Sequence, residues 1–210
     1  METYIKNIPE NFWNIRFLDK YMANHKGFIA GGSFKNIFLK EQIKDIDIFF
    51  EKSEYFDKAQ EYFTSKEAQE DGWYVRYENS KVFAVQKKGE KLYIEFVHSI
   101  FGLPEEILRK FDFTITKFAY FKETLLDSDG TEKIEYKLLY HKDFFEHLTT
   151  KRLVLDENIP FPISTWERSY RYKGYGFNMC RESKVKLLDA LRKSNDNEEN
   201  ISMYNIGGWD

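Results

Sequence analysis

Cysteine is almost missing from this chain. Cys180 is the single one in 210 residues, which excludes an intramolecular disulfide framework and a cysteine-rich zinc site and makes a reducing, cytoplasmic setting the default expectation. Long apolar runs are missing as well. No stretch approaches the roughly 20 apolar residues that a membrane span requires, and Met1 leads into Glu, Thr, Tyr, Ile and Lys instead of a basic segment and an apolar core. A soluble, unprocessed chain without membrane contact is expected. There is no global basic excess: 32 Lys plus Arg stand against 35 Asp plus Glu, for a formal charge of -3. That balance excludes a nonspecific nucleic-acid coat and confines any polyanion site to a local patch. Neither an internal repeat nor an extended low-complexity segment is visible.

What is abundant is aromatic and charged. Aromatic residues make up 18%, charged residues 32% and hydrophobic residues 42%, so a packed interior inside a charged surface is expected rather than disorder. Apolar positions at Phe12, Ile15, Leu18 and Met22 predict an opening helix over residues 8–24. A short buried strand ending at Ala30, a tight Gly31-Gly32-Ser33 turn and a helix over FKNIFLKEQI follow. Asp45 to Phe50 alternates polar with apolar before turning wholly apolar, as a strand does whose start lies at the rim of a core. A helix over 53–70 precedes three β-rich runs, Trp73 to Glu78, Val82 to Gln86 and Leu92 to His98, which read as an antiparallel meander. Pro104 opens a helix through Arg109; Phe111 to Tyr120 is open between strand and helix. Asp127 to Thr131 is a polar turn, and the pattern beyond it reads as helical, with a last helix over Lys184 to Lys193 ahead of the acidic SNDNEEN stretch. The expected class is α+β.

Asp45 and Asp47 stand two apart on the predicted strand, so their carboxylates leave one face and can share a divalent cation. Fourteen residues earlier, the Gly31-Gly32-Ser33 turn offers backbone N–H groups to phosphate oxygens. Mg²⁺ is bound through a few carboxylates together with substrate phosphates, so a carboxylate pair facing a glycine turn suits nucleotide chemistry.

The run GGSFKNIFLKEQIKDIDI resembles, without a gap, the G-G-x-V-R-D-x-L-L-G-x-x-x-x-D-x-D motif of the DNA polymerase β superfamily, in the form used by class II tRNA nucleotidyltransferases and bacterial poly(A) polymerases. Lys35 stands where that family has Arg, Asn36 where it has Asp and Lys40 where it has Gly. Leu92 to Val97 is similar to the family strand that carries a third carboxylate, which would be Glu95. Arg109 to Tyr120 is similar to the family's R-R-D-F-T-I-N-A-L-A-Y, with Phe111 replacing one arginine and Thr116 the asparagine; Asp112 keeps its place. Past Pro162, STWERSYRYKGYGF is similar to the family's base-reading motif. Ser164 and Thr165 replace its acids, while Arg168, Arg171 and the closing Gly176-Phe177 remain.

The resemblance implies a nucleotidyltransferase head over 1–135 with a mixed or antiparallel sheet flanked by helices, a helical neck-like extension over 136–193 and a polar acidic tail over 194–210. It implies transfer of a nucleoside monophosphate from an NTP to an acceptor hydroxyl, an RNA 3′ end such as that of tRNA among the options, with release of pyrophosphate. Asp45, Asp47 and Glu95 would hold two Mg²⁺ ions. Gly31, Gly32, Ser33, Lys35, Asp112, Arg168 and Arg171 would contact the nucleotide. Two alternatives stay open: a nucleotide-binding or regulatory protein without turnover, and a transferase whose acceptor is a protein or small molecule. In either catalytic case, three converging acids would repel one another until a cation binds, raising their carboxylate pKa values.

Overall fold

The computed structural model describes residues 3–126, 131–157 and 159–194. Its strands are β1 (Tyr4–Asn7), β2 (Phe28–Ala30), β3 (Asp45–Phe50), β4 (Trp73–Glu78), β5 (Val82–Lys87), β6 (Tyr93–Phe101), β7 (Phe118–Leu126), β8 (Glu132–His141), β9 (Arg152–Leu153) and β10 (Asn178–Met179). The α-helices are α1 (Ser33–Leu39), α2 (Ser53–Thr64), α3 (Lys66–Glu70), α4 (Pro104–Lys110), α5 (Phe144–Thr149), α6 (Pro162–Gly174) and α7 (Arg181–Ser194). Among the described residues, no helix is long and apolar enough to cross a membrane.

Eight strands form one sheet in the order β1-β8-β7-β2-β3-β6-β5-β4. Every pairing in it is antiparallel except that of β3 with β6. A parallel pair cannot be closed by a tight hairpin; here the chain runs through α2, α3, β4 and β5 between the two strands. Because side chains alternate along a strand, β3 sends Ile46, Ile48 and Phe50 to one face, where they are fully buried in the main core with Phe83, Phe96, Phe118 and Tyr120. The other face carries Asp45, Asp47 and Phe49. Phe49 belongs to a smaller apolar cluster with Phe28, Ile107, Leu108 and Phe111 beneath α4.

The α+β class holds, with the sheet broader than the meander read from the sequence. The segment after the polar turn requires correction: residues 132–141, read as helical, are β8, and β8 passes through 135 and 136. Ile134, Tyr136, Leu138 and Tyr140 follow a period of two, which their four-residue spacing also makes compatible with a helix. Pairing with β7 decides the matter, Phe118 facing Tyr140 and Tyr120 facing Leu138. Helical structure resumes with α5, α6 and α7. The opening helix is 3₁₀ over Trp13–Met22, and the three-residue spacing of Phe12, Ile15, Leu18 and Tyr21 suits that tighter winding. The predicted 53–70 helix is broken at Ser65, whose hydroxyl accepts from Ala68 N–H and caps α3. Most of the polar turn and of the acidic tail lies outside the described residues.

Candidate active site

The parallel register sets Asp45 opposite Tyr93 and Asp47 opposite Glu95. Adjacent strands at equal register place side chains of one face next to each other, and here three of them are acids. Ligand oxygens of Asp45, Asp47 and Glu95 lie within 4.8 Å of one another. Asp47 is buried, while Asp45 and Glu95 are half-buried. Burial pushes the Asp47 carboxyl well up from its usual range, and the neighbouring Glu95 and Asp45 charges add to the rise. Glu95 is raised chiefly by burial, against which the hydrogen bond from Tyr77 acts. Asp45 is raised by burial, partly offset by Lys44. The donor set is three hard carboxylate oxygens, which fits Mg²⁺ or Mn²⁺ and gives a reason for acids to be held so close.

The glycine turn reaches this cluster. Gly31 lies at the end of β2, the other neighbour of β3, with φ of 107°, a conformation that L side chains rarely adopt. A Cβ there would stand 3.4 Å from Asp47 Oδ2 and 3.7 Å from the Phe111 ring. Glycine thus leaves the approach to Asp47 open. Gly31 N–H is already used, donating to Phe118 O at 3.1 Å. Ser33, in the first turn of α1, is buried, and its Oγ has no hydrogen-bond partner among the described residues. A buried hydroxyl without a partner is costly, and a phosphate oxygen is the kind of group that would satisfy it.

Beside Ser33 is a cavity of about 420 Å³, lined by Gly32, Ser33, Lys35, Asp45, Tyr93 and Arg171 together with neighbouring residues. This brings the glycine turn, one acid and a basic residue of α6 onto a common wall. The Lys35 ammonium is partly engaged there. It hydrogen-bonds Asn36 Oδ1, lies 3.6 Å from Glu41 Oε2 and sits 4.8 Å from the Tyr175 ring centre. Burial lowers its pKa.

Asp112 and Arg168 are brought to each other. Asp112 Oδ2 accepts from Arg168 Nε at 3.1 Å, Arg168 Nη2 at 2.5 Å and Thr165 Oγ1 at 2.6 Å. Both partners of the ion pair are nearly fully buried. Thr165, at a position where the resembling family has an acid, is a donor to Asp112.

Sequence reasoning missed Tyr77. Its hydroxyl, on β4, donates to Glu95 Oε1 on β6, across the intervening strand β5. Tyr93, inside the recognised strand but given no role, carries the Arg76 guanidinium 4.3 Å from its ring centre. Spacing did not signal Tyr77, because its placement depends on an irregularity in β4; Tyr93 stands two residues before Glu95 and shares its face.

The mixed sheet flanked by helices is similar in fold to the heads of nucleotidyltransferases in solved structures. A CCA-adding enzyme in complex with ATP is 16% identical, with a TM-score of 0.55 over 92% of this chain and 46% of that one. The Thermotoga maritima CCA-adding enzyme complexed with tRNA is 16% identical, with a TM-score of 0.52 over 92% and 47%. A tRNA nucleotidyltransferase complexed with a primer tRNA and an incoming ATP analog is 17% identical, with a TM-score of 0.51 over 86% and 50%. The chain belongs to the Gabija anti-defense 2 family, whose sequence profile matches residues 3–151. A curated relative, Gabija anti-defense 2 of Bacillus phage SPbetaL7, is 23% identical over 168 residues, which are 80% of this chain and 38% of that protein. The chain therefore spans about half the length of the solved relatives and less than two-fifths of the curated one.

Proposed function

We propose that this chain is a divalent-cation-dependent nucleotidyltransferase that acts against Gabija defence. The single observation that carries the proposal is the convergence of Asp45, Asp47 and Glu95 on one face of β3 and β6, within 4.8 Å, next to the Gly31 turn. Asp45, Asp47 and Glu95 would hold two Mg²⁺ ions, which supply charge stabilisation at the attacking and leaving oxygens.

The chain's own groups then have separate tasks. Gly31 leaves room beside Asp47, the Ser33 hydroxyl donates to a phosphate oxygen, and Lys35 and Arg171 line the cavity that receives the triphosphate. Asp112 and Arg168 act on the nucleotide side as one rigid pair rather than as two independent contacts. An acceptor hydroxyl bonds to the α-phosphorus of an NTP, its proton passing to Glu95, and the bond to the β-phosphate oxygen breaks to release pyrophosphate. No covalent enzyme intermediate is needed, so placement and charge carry the rate. The curated relative's name supplies the setting. The acceptor is then a protein, RNA or small molecule on which that defence depends.

The rival reading is a binding protein without turnover, favoured by the prior engagement of Lys35 with Asn36 and of Arg168 with Asp112. Each α-labelled NTP, incubated with Mg²⁺, mixed RNA and an extract of Gabija-bearing cells, separates the two. Label in a single fraction with matching pyrophosphate is expected, falling about 100-fold or more in Asp47→Asn, the scale on which loss of one transition-state-stabilising group acts. No label with any NTP or fraction would establish the binding reading.

A further inference from the structure

The edge strand β4 contains one extra residue. Its register with β5 runs Val75 opposite Val85, then Tyr77 opposite Ala84, so that Arg76 is bulged. A one-residue insertion reverses the facing of every side chain beyond it. Without the bulge, Tyr77 would stand opposite Phe83, whose side chain belongs to the main core. With it, Tyr77 shares the face of Ala84 and, one strand further, of Glu95, since Ala84 is in register with Glu95.

The bulge is braced by a chain of contacts. Gln86 Nε2 donates to Glu90 O at 2.7 Å, and Gln86 Oε1 accepts from both Arg76 Nη1 and Tyr74 Oη at 2.7 Å. Arg76 so held lies over the Tyr93 ring. Tyr93 in turn meets the Tyr77 ring at 6.3 Å with planes 66° apart. At the end of this series the Tyr77 hydroxyl donates to Glu95 Oε1.

From this geometry we infer that Tyr77 is a positioning residue that fixes the Glu95 carboxylate for cation binding. The inference rests on the reading of Asp45, Asp47 and Glu95 as ligands. Two of these acids are in β3, whereas Glu95 must be aimed across from β6, and among the described residues it receives a neutral donor from the edge strand. A phenol suits that task because it orients a carboxylate without cancelling its charge. Partners that orient metal ligands in this way contribute about 10- to 100-fold to metal affinity.

Mn²⁺ titration by calorimetry, without turnover, tests this on the full chain. Tyr77→Phe keeps the ring against Tyr93 and removes only the hydroxyl; it should weaken Mn²⁺ binding about 10-fold or more. Tyr62→Phe, which loses a hydroxyl on α2 that accepts from Asn24 and takes no part in the brace, should bind as wild type does. In a Glu95→Gln background, Tyr77→Phe should cause no further loss, because its effect passes through Glu95. Unchanged affinity in Tyr77→Phe, or an equal further loss in the Glu95→Gln background, would overturn the assignment. Equal Mn²⁺ uptake by wild type and Asp47→Asn is a separate result: it removes the cation reading and the role of Tyr77 with it.

Discussion

At the scale of single residues, the site is a concentration of like charge in a place where charge is costly. Asp47 is buried beside Glu95 and Asp45, and the protonated form of its carboxyl is favoured. A group whose pKa is raised in the folded state stabilises the fold at low pH, and that contribution is lost as pH rises through the raised value. Without divalent cations, the thermal midpoint should therefore fall as pH climbs above the ordinary carboxylate range. Asp47→Asn should flatten that fall and melt higher than wild type in a chelator at neutral pH, at about 2–4 °C per kcal/mol for a chain of this size. Mg²⁺ should raise the wild type and leave the variant unmoved. A scan of melting temperature against pH, with and without Mg²⁺, checks all three. Asp45 and Asp47 were legible in the sequence because period two puts them on one face, and Glu95 because its strand resembles the family strand that carries a third carboxylate. Tyr77 was not, since reading it would require knowing that Arg76 is bulged.

Elements add a second level of constraint. The site needs β3 and β6 side by side and in register, and the core side of the same strands enforces that. A slip by one residue would carry Ile46 and Ile94, both fully buried, out of the core and drive acids into it. The alternation that revealed the acids is thus also what fixes their register. Helix α6 is tethered differently, by the buried Asp112 and Arg168 pair. Removing one partner of a buried ion pair leaves the other charge uncompensated, at a cost of about 3–5 kcal/mol. Arg168→Ala should lower the unfolding free energy by that order in denaturant titration, with or without nucleotide; a variant as stable as wild type would mean that the pair does not anchor α6. Sequence alone pointed to Asp112 and Arg168 as separate nucleotide contacts, because nothing in their local patterns shows that residues 56 positions apart meet. Likewise β8 escaped recognition because Ile134 and Leu138 satisfy two periods at once, and only the presence of β7 selects between them.

For the whole molecule, the eight-stranded sheet divides two interiors of unequal size. The larger, rich in phenylalanine and tyrosine, stabilises the fold; the smaller, under α4, is interrupted by the acids and the glycine turn. That division is what lets so charged a cluster persist within a packed domain. The chain belongs to the Gabija anti-defense 2 family and its fold is similar to that of nucleotidyltransferase heads; nucleotidyl transfer is the activity proposed for it. The division into a head over 1–135, a neck-like extension over 136–193 and a tail remains part of that proposal, with β8 linking the first two. The account's central claim is that three carboxylates bind divalent ions next to a triphosphate, and anomalous diffraction tests it most directly, from crystals grown with Mn²⁺ and a non-hydrolysable NTP analogue. The account predicts manganese peaks in contact with Asp45, Asp47 and Glu95, with analogue phosphates near Ser33. Analogue bound elsewhere, with no manganese between these carboxylates, would contradict it.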